Sequence, residues 1–209
     1  MKYIDSTTLD WEKMGELIPA IVQHAESGEV LMLCYMDKQS LEITQVTDKL
    51  TLFSRSKQRL WRKGETSGNT MDVRSITADC DGDSLLVQVI PTGPACHLGF
   101  NTCYQTKATP KISFLATLAA VIRERADNPN NCSYTTELMQ AGVSRCAQKV
   151  GEEATETVIA AVKNDRDELI QETADLVFHL LILLQVCEVN LYEVIDCLQK
   201  RHLQPVDVS

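Results

Sequence analysis

The spacing of apolar residues changes character part-way along the chain. Up to about residue 108, short apolar runs bounded by Gly, Asp and Ser are typical of β-strands, and residues 41–48 have the spacing of a short helix. From residue 111 to 203, apolar residues recur at helical spacing, with breaks at Gly142 and at 164–167. The strand-like runs cover residues 30–36, 51–54, 71–78 and 85–90.

The two regions are separated by a polar segment, residues 105–110, which ends in proline and has the composition of a linker. A chain of 209 residues is long enough for two small domains. We therefore predict an α+β domain, mostly β, over residues 1–108 and an all-α domain over residues 109–209.

Acidic residues stand out in the helical region. On the first long helix the apolar stripe is formed by Val150, Ala154, Val158 and Ala161, and the glutamates are predicted to lie on the opposite, solvated face. The next helix is apolar nearly all round over residues 176–186, which predicts a buried helix. Its acids lead directly into that segment, and buried carboxylates are costly unless they are paired or bind a metal. The acids of the two helices are Glu152, Glu153, Glu156, Glu172 and Asp175.

Two antiparallel helices that face each other with four or five carboxylates would repel unless divalent cations lay between them. Magnesium held by carboxylates usually also binds substrate phosphates. An all-helical, diphosphate-cleaving enzyme is the resulting hypothesis, although the first helix alone is equally typical of an ordinary solvated face.

Three cysteines with the spacing C-x15-C-x6-C, Cys80, Cys96 and Cys103, are the candidate metal ligands of the first region. Three thiolates leave the fourth corner of a zinc tetrahedron open for water, as in catalytic zinc sites. His97 adjoins the second cysteine. Asp79, Asp81 and Asp83 surround the first and would suit magnesium better than zinc. Alternatively, Asp-Gly at 81–82 is a hairpin-turn signal and the cysteines are core residues.

A basic, glycine-punctuated loop is predicted over residues 55–69. Arginine side chains and loop N–H groups between glycines suit phosphate oxygens. Trp61 would stack on a base or fill core, and the alternative for the whole segment is a solvated surface loop.

Bulk properties narrow the function classes. The net charge of −9 argues against general nucleic-acid binding. The N-terminus has no apolar signal-like segment, and the longest apolar run, residues 176–184, is too short to span a membrane. Eight cysteines without a secretory signal indicate reduced thiols. These features predict a cytoplasmic protein that binds neither nucleic acid nor membrane.

The motifs of the first region resemble the phosphoribosyl-AMP cyclohydrolase family. The resemblance covers residues 30–104 and is carried by Ser54-Arg55-Ser56, by residues 60–69 (LWRKGETSGN), by Cys80-Asp81-Gly82-Asp83 and by Ala95-Cys96-His97. The string from Trp61 to Asn69 is its most specific element.

The second region resembles the phosphoribosyl-ATP pyrophosphohydrolase family over residues 111–203. The matching motifs are Ser133-Tyr134-Thr135, residues 149–156 (KVGEEATE) and residues 172–176 (ETADL). The acidic pattern alone is shared by a wider superfamily of nucleotide pyrophosphatases. Together, the two resemblances indicate a bifunctional histidine-biosynthesis protein with its domains fused in this order.

The resemblance implies the chemistry. The C-terminal domain would cleave phosphoribosyl-ATP to phosphoribosyl-AMP and pyrophosphate with magnesium on the five helical acids, Glu153 being the catalytic one. The N-terminal domain would then open the adenine ring at N1–C6 with a zinc-bound hydroxide.

The family's residues carry over to named positions. Zinc would bind Cys80, Cys96 and Cys103, shared between the subunits of a homodimer, and magnesium would bind the three aspartates. His97 would shuttle protons. The expected substrate-binding residues are Arg55, Trp61, Arg62, Lys63, Gly64, Glu65, Thr66 and Ser67.

One position departs from the family pattern. Leu98 follows His97 where threonine is more usual, so a polar contact beside the zinc would be missing. The remaining cysteines, Cys34, Cys132, Cys146, Cys187 and Cys197, match no site and are expected to be core or surface thiols. The alternative functions are a general nucleoside-triphosphate pyrophosphatase fused to a zinc-stabilised binding module, and a non-enzymatic metal-dependent scaffold.

Overall fold

The computed structural model describes residues 3–104, 111–128 and 133–203. The chain divides into two compact units, Met1–Ala116 and Thr117–Ser209. The first is rich in β-structure and the second is helical, which confirms the predicted pair of fold classes. The predicted linker at 105–110 lies outside the described residues, so the division at 108 and 109 stays a prediction.

The N-terminal unit contains two sheets. A four-stranded sheet has the order β2-β1-β6-β5, in which β1 and β6 are parallel and the other pairs are antiparallel. A separate hairpin is formed by β3 and β4. In chain order the elements are a 3-10 helix Ser6–Thr8, β1 Ile18–His24, β2 Val30–Met36, α1 Lys38–Thr47, β3 Thr51–Ser54, β4 Arg59–Arg62, β5 Met71–Ala78 and β6 Leu85–Pro91.

Alternation along the strands decides which face of the four-stranded sheet is buried. Ile18, Ala20 and Val22 of β1 are fully buried in the core of the unit. On the opposite face Ile21 lies in register between Leu33 and Leu86, and all three are exposed, by 40, 49 and 36%. This exposed row is an apolar surface on one side of an otherwise ordinary half-buried sheet.

The predicted strands at 30–36, 51–54, 71–78 and 85–90 are all present. The predicted helix at 41–48 begins earlier, at Lys38, because Asp37 caps it by accepting a hydrogen bond from the backbone N–H of Ser40. β1 was not predicted. The loop prediction for 55–69 is wrong over Arg59–Arg62, which pairs with β3 as β4.

The C-terminal unit is a bundle of helices. The helices are α2 Ser113–Asp127, α3 Tyr134–Gln140, α4 Val143–Lys163, α5 Arg166–Val186 and α6 Leu191–Leu203. Asn164 in the left-handed conformation ends α4, and Asp165 caps α5, so the two helices pack against each other as an antiparallel pair. The core comprises Ile122, Leu138, Cys146, Leu181 and Ile182.

Helix α5 is not buried all round, which corrects the prediction for residues 176–186. Only His179, Leu181 and Ile182 are buried, and Leu180 is exposed. Among the described residues, α5 is the one helix whose length and composition would suit a membrane span, a test that core helices of soluble proteins also pass.

Candidate active sites

Three aspartates form the first candidate metal site, on the loop between β5 and β6. Oxygens of Asp79, Asp81 and Asp83 lie within 4.8 Å of one another, as the sequence predicts. Asp79 accepts hydrogen bonds from the Ser84 hydroxyl at 2.7 Å and from the backbone N–H of Asp83 at 3.0 Å. These bonds, the Ser84 hydroxyl first, lower the pKa of Asp79 to about 2. The three carboxylates thus offer only hard oxygen ligands, which fit a divalent cation such as magnesium.

Lys13 also belongs to this group, although no motif in the sequence predicts it. Its ammonium lies 2.8 Å from an oxygen of Asp81 and 2.6 Å from one of Asp83. The same two carboxylates raise the pKa of Lys13. In this chain the ammonium therefore provides positive charge at the place where a divalent cation would supply it.

The candidate zinc ligands are only partly together within one chain. Cys96 is buried and its backbone N–H donates to the carbonyl of Phe100, whereas Cys103 donates its N–H to Leu31 at the edge of β2. Burial raises the pKa of the Cys103 thiol, the neighbouring Cys96 adds to this, and Lys63 acts in the opposite direction. Cys96 and Cys103 therefore lie close enough to share a soft metal such as zinc.

Cys80 lies elsewhere. It is exposed on the aspartate loop, and its sulfur is 4.0 Å from a carboxylate oxygen of Asp81. Within residues 3–104, no group of three or more ligating side chains unites it with Cys96 and Cys103. Two of the three predicted zinc ligands are thus neighbours within one chain, and the third is not grouped with them among the described residues. His97, beside Cys96, is exposed.

The basic string from Arg55 to Ser67 surrounds the β3–β4 hairpin. The Arg55 guanidinium stacks 3.7 Å from the ring centroid of Tyr35, and Arg62 is exposed. Glu65 pairs with Arg59 at 2.5 Å, a contact that lowers the pKa of Glu65. A depression of about 370 Å³ beside the hairpin is lined by Ile43, Thr47, Thr51, Leu60, Arg62 and Glu65.

Lys63 has a different partner from the phosphate that the sequence predicts. Its side chain is buried, and the ammonium donates a hydrogen bond to the backbone carbonyl of Ala95 at 2.5 Å. Trp61 is half-buried, with its ring centroid 5.4 Å from this ammonium.

Carboxylates of α4 and α5 form the second candidate metal site. Oxygens of Glu153, Glu156 and Glu172 lie within 4.8 Å of one another. Loss of hydration raises the pKa of Glu172, and the like charges of Glu156 and Glu153 raise it further. Three crowded carboxylates fit a divalent cation, because it would remove their mutual repulsion.

Two predicted ligands, Glu152 and Asp175, lie outside this group of three. Lys149 explains the position of the first, since its ammonium is 3.0 Å from Glu152 and 2.7 Å from Glu153. This contact lowers the pKa of Glu152. The spacing of three and four residues from Lys149 is a sequence signal that would have identified the pair.

His179 supports the buried member of the group. Its Nε2 lies 3.6 Å from Glu153, and its ring meets Phe178 and Tyr134 edge-on. Burial lowers the pKa of His179, against the opposing effect of Glu153. The imidazole therefore tends to be neutral where it faces this carboxylate.

The β-rich unit contains two neighbouring thiols and the aspartate group, and the helical unit contains the glutamate group. Together these features define a two-domain hydrolase. The family model for phosphoribosyl-AMP cyclohydrolase matches residues 32–105, and that for phosphoribosyl-ATP pyrophosphohydrolase matches residues 115–202. The chain belongs to the family of bifunctional histidine-biosynthesis proteins that join these two domains.

Similar proteins align over almost their whole length. The histidine biosynthesis bifunctional protein HisIE of Salmonella typhimurium is 53% identical over 194 residues, which cover 93% of this chain and 95% of that protein. The protein of the same name from Yersinia pestis is 50% identical with the same coverage. That of Photobacterium profundum is 47% identical over 201 residues, 94% of this chain and 97% of the other.

Proposed function

We propose that the chain catalyses two successive hydrolyses, the cleavage of phosphoribosyl-ATP to phosphoribosyl-AMP and pyrophosphate, and the opening of the adenine ring of phosphoribosyl-AMP at N1–C6. The observation that carries the proposal is the match of both domain families, in this order, on a chain about half identical to bifunctional relatives. Each unit also contains an acidic group suited to a divalent cation.

In the helical unit, Glu153, Glu156 and Glu172 would hold magnesium, with Glu152 and Asp175 completing the set as substrate binds. Bound magnesium would neutralise phosphate charge and orient a water. Glu153 would accept the proton of that water, since it is buried and held in place by Lys149 and His179. Water adds to phosphorus, the bond to the leaving phosphate breaks, and pyrophosphate departs.

In the N-terminal unit, Cys96 and Cys103 would hold zinc together with Cys80 of a second copy, and the three aspartates would hold magnesium. A zinc ion held there would lower the pKa of a bound water to about 7 and so would supply a nucleophile at neutral pH. The water oxygen bonds to C6, the N1–C6 bond breaks, and N1 takes up a proton. The exposed imidazole of His97 would carry that proton.

The substrate-binding role is proposed for Arg55, Trp61, Arg62, Gly64, Glu65, Thr66 and Ser67. Arg62 is exposed beside the depression at the hairpin and is available to a phosphate. Arg55 and Trp61 present flat surfaces for the nucleotide, the first already stacked on Tyr35. Lys63 is not in this set, because it is buried and its ammonium donates to the Ala95 carbonyl.

A homodimer is part of the proposal. Its support is that, among the described residues, no group of three ligands unites Cys80 with Cys96 and Cys103, together with the exposed row of Ile21, Leu33 and Leu86 on the sheet. A cytoplasmic location is likewise proposed, supported by seven free cysteines among the described residues and by biosynthetic relatives.

The test is to supply phosphoribosyl-ATP with magnesium and zinc and to follow pyrophosphate and product mass together. Wild-type protein should release pyrophosphate and form a product one water heavier than phosphoribosyl-AMP. Cys96→Ser should still release pyrophosphate but accumulate phosphoribosyl-AMP. Glu172→Gln should reduce pyrophosphate release by about 100-fold or more, the scale of one lost charge-stabilising contact, yet still open phosphoribosyl-AMP supplied directly.

Matched controls are Cys197→Ser and Glu124→Gln, both at exposed positions outside the two groups. Each should retain both activities. Failure of folded, metal-loaded wild-type protein to turn over either nucleotide would overturn the proposal.

A further inference from the structure

The string that begins at Lys63 is bound to the segment that leads into Cys96. Lys63 donates to the carbonyl of Ala95 at 2.5 Å, and the side-chain amide of Asn69 donates to the carbonyl of Pro94 at 3.3 Å. Two consecutive carbonyls, immediately before a candidate zinc ligand, are thus each held by a side chain from the same string.

Hydrogen bonds from backbone N–H groups also join the two segments, at Thr70 and Thr92. The N–H of Thr70 donates to the hydroxyl of Thr92 at 2.9 Å, and the N–H of Thr92 donates to the carbonyl of Thr70, also at 2.9 Å. The segments 63–70 and 92–96 therefore run side by side and are fastened at both ends.

The turn within the string depends on Gly64. This residue has φ +86°, and a Cβ built on it would lie 2.5 Å from the backbone of Asn69. The close approach folds the string back on itself, which brings Asn69 to the same side as Lys63. The arrangement needs a glycine here, and a simple surface loop would not.

Burial of Lys63 argues that its ammonium serves the protein interior. The residue is 9% exposed, and a buried charge is costly unless it is hydrogen-bonded or paired. Through its bond to Ala95 the cation lies beside the segment that leads into Cys96, where a zinc site with three thiolates would carry net negative charge.

We propose that Lys63 and Asn69 are positioning residues that hold residues 94–96 so that the Cys96 sulfur faces Cys103. The inference rests on the proposed zinc site of the N-terminal unit. It assigns to Lys63 the support of a metal ligand, in place of the contact with substrate phosphate that the sequence predicts. Residues that orient metal ligands in this way typically affect metal affinity by 10- to 100-fold.

The test compares Lys63→Met and Asn69→Leu, which remove the donors with little change in side-chain size, with wild type. Zinc affinity is measured by competition with a chromophoric chelator, and thiolate ligation by the charge-transfer absorption of the cobalt-substituted protein. Both variants should bind zinc about 10- to 100-fold more weakly and show weaker cobalt–thiolate absorption. Ring opening should lose kcat at subsaturating zinc, with KM for phosphoribosyl-AMP unchanged.

Lys38→Met is the matched control, because Lys38 is an exposed lysine of the same unit, whose ammonium pairs with the equally exposed Glu16 and lies over the ring of Trp11. It should behave as wild type. Folding is checked independently by far-ultraviolet circular dichroism during urea unfolding. Tryptophan emission would not serve, because Lys63 lies 5.4 Å from the Trp61 ring centroid and Lys38 lies 5.7 Å from that of Trp11. If Lys63→Met fails to fold, Asn69→Leu decides the question alone.

The outcomes separate three cases. A raised KM with unchanged zinc affinity would make Lys63 a phosphate ligand and overturn the inference. Unchanged zinc affinity, cobalt spectrum and KM would also overturn it. Absence of tight zinc binding in wild type would overturn the zinc site itself, which belongs to the proposed function.

Discussion

Two lysines show how single residues tune the acidic groups. Lys13 bridges Asp81 and Asp83 in one unit, and Lys149 bridges Glu152 and Glu153 in the other. Like charges held this close repel, so an ammonium between them stabilises the arrangement. A divalent cation entering the aspartate group would take over the role of the Lys13 ammonium.

A second single-residue effect is the pH dependence that His179 confers on the helical unit. Burial lowers the pKa of His179 below its usual 6.5, so the unfolded chain binds a proton more readily than the folded one. Its contribution to stability is therefore complete above pH 6.5 and is lost as the pH falls towards the lower, folded-state pKa. We expect the thermal midpoint of metal-free protein, followed by circular dichroism at 222 nm, to fall over this window.

Substitution of His179 tests whether its imidazole causes this pH dependence of stability. In His179→Leu this part of the pH dependence should disappear, whereas His202→Gln, at an exposed position on α6, should keep it. An unchanged pH profile in His179→Leu would mean that other groups cause the decline.

At the level of elements, the buried and exposed faces of α4 differ from those that its amphipathic pattern predicts. The sequence predicts glutamates outward and an apolar stripe inward, but Glu153 is buried against His179 of α5. Val158 of the predicted stripe is exposed by 61%, and Val162, one turn further along the helix, by 77%. An exposed apolar stripe on a helix indicates a surface that contacts something else. Of the α4 glutamates only Glu153 is buried, where Lys149 and His179 contact it, and Glu156 is exposed.

The aspartate loop is an element whose shape depends on one glycine. Gly82 has φ +73°, and a Cβ there would lie 2.7 Å from the carbonyl of Thr8. Its own carbonyl accepts a hydrogen bond from Asp10 at 2.8 Å. We expect Gly82→Ala to destabilise the N-terminal unit by about 1–3 kcal/mol, the usual cost of a strained backbone position, measured by urea unfolding with tryptophan fluorescence.

Gly15 provides the comparison. It also has a positive φ, +61°, but nothing lies within 4 Å of its Cβ position. Gly15→Ala should therefore cost only the backbone strain and less than Gly82→Ala. Equal costs would show that the contact with Thr8 is unimportant.

At the level of the whole molecule, the incomplete cysteine site leads to a prediction about assembly. If Cys80 of one copy joins Cys96 and Cys103 of another, each site of a dimer draws on both chains. Mixing Cys80→Ser and Cys96→Ser chains, each inactive in ring opening, should then restore about one quarter of wild-type activity, because about half the dimers are mixed and each has one intact site.

The control for this experiment combines Cys96→Ser with Cys103→Ser. Both changes fall in the same half of the site, so no mixed dimer has an intact site and activity should stay absent. Recovery in that control, or none with Cys80→Ser, would contradict the shared site.

Much of this molecule follows from local sequence. Four strands of the N-terminal unit, the helical character of the second region and the breaks at Gly142 and 164–167 were predicted, because alternation and helical spacing act over a few residues. β1 was missed, since Pro19 and the polar Gln23 and His24 interrupt its apolar run. β4 was missed because its charged residues mask the alternation typical of a strand. The strand forms because it pairs with β3.

The chemistry divides in the same way. The sequence by itself determined which residue types are available: thiols, aspartates, helical glutamates and a basic string. Only the tertiary structure decided that Glu172 joins Glu153 and Glu156 while Glu152 pairs with Lys149, and that Lys63 points inward to Ala95. It also decided that, among the described residues, Cys80 forms no ligand group with Cys96 and Cys103. The reason is physical, because these contacts depend on how helices rotate against each other and where loops cross. Packing of the whole unit sets both, and no short stretch of chain contains that information.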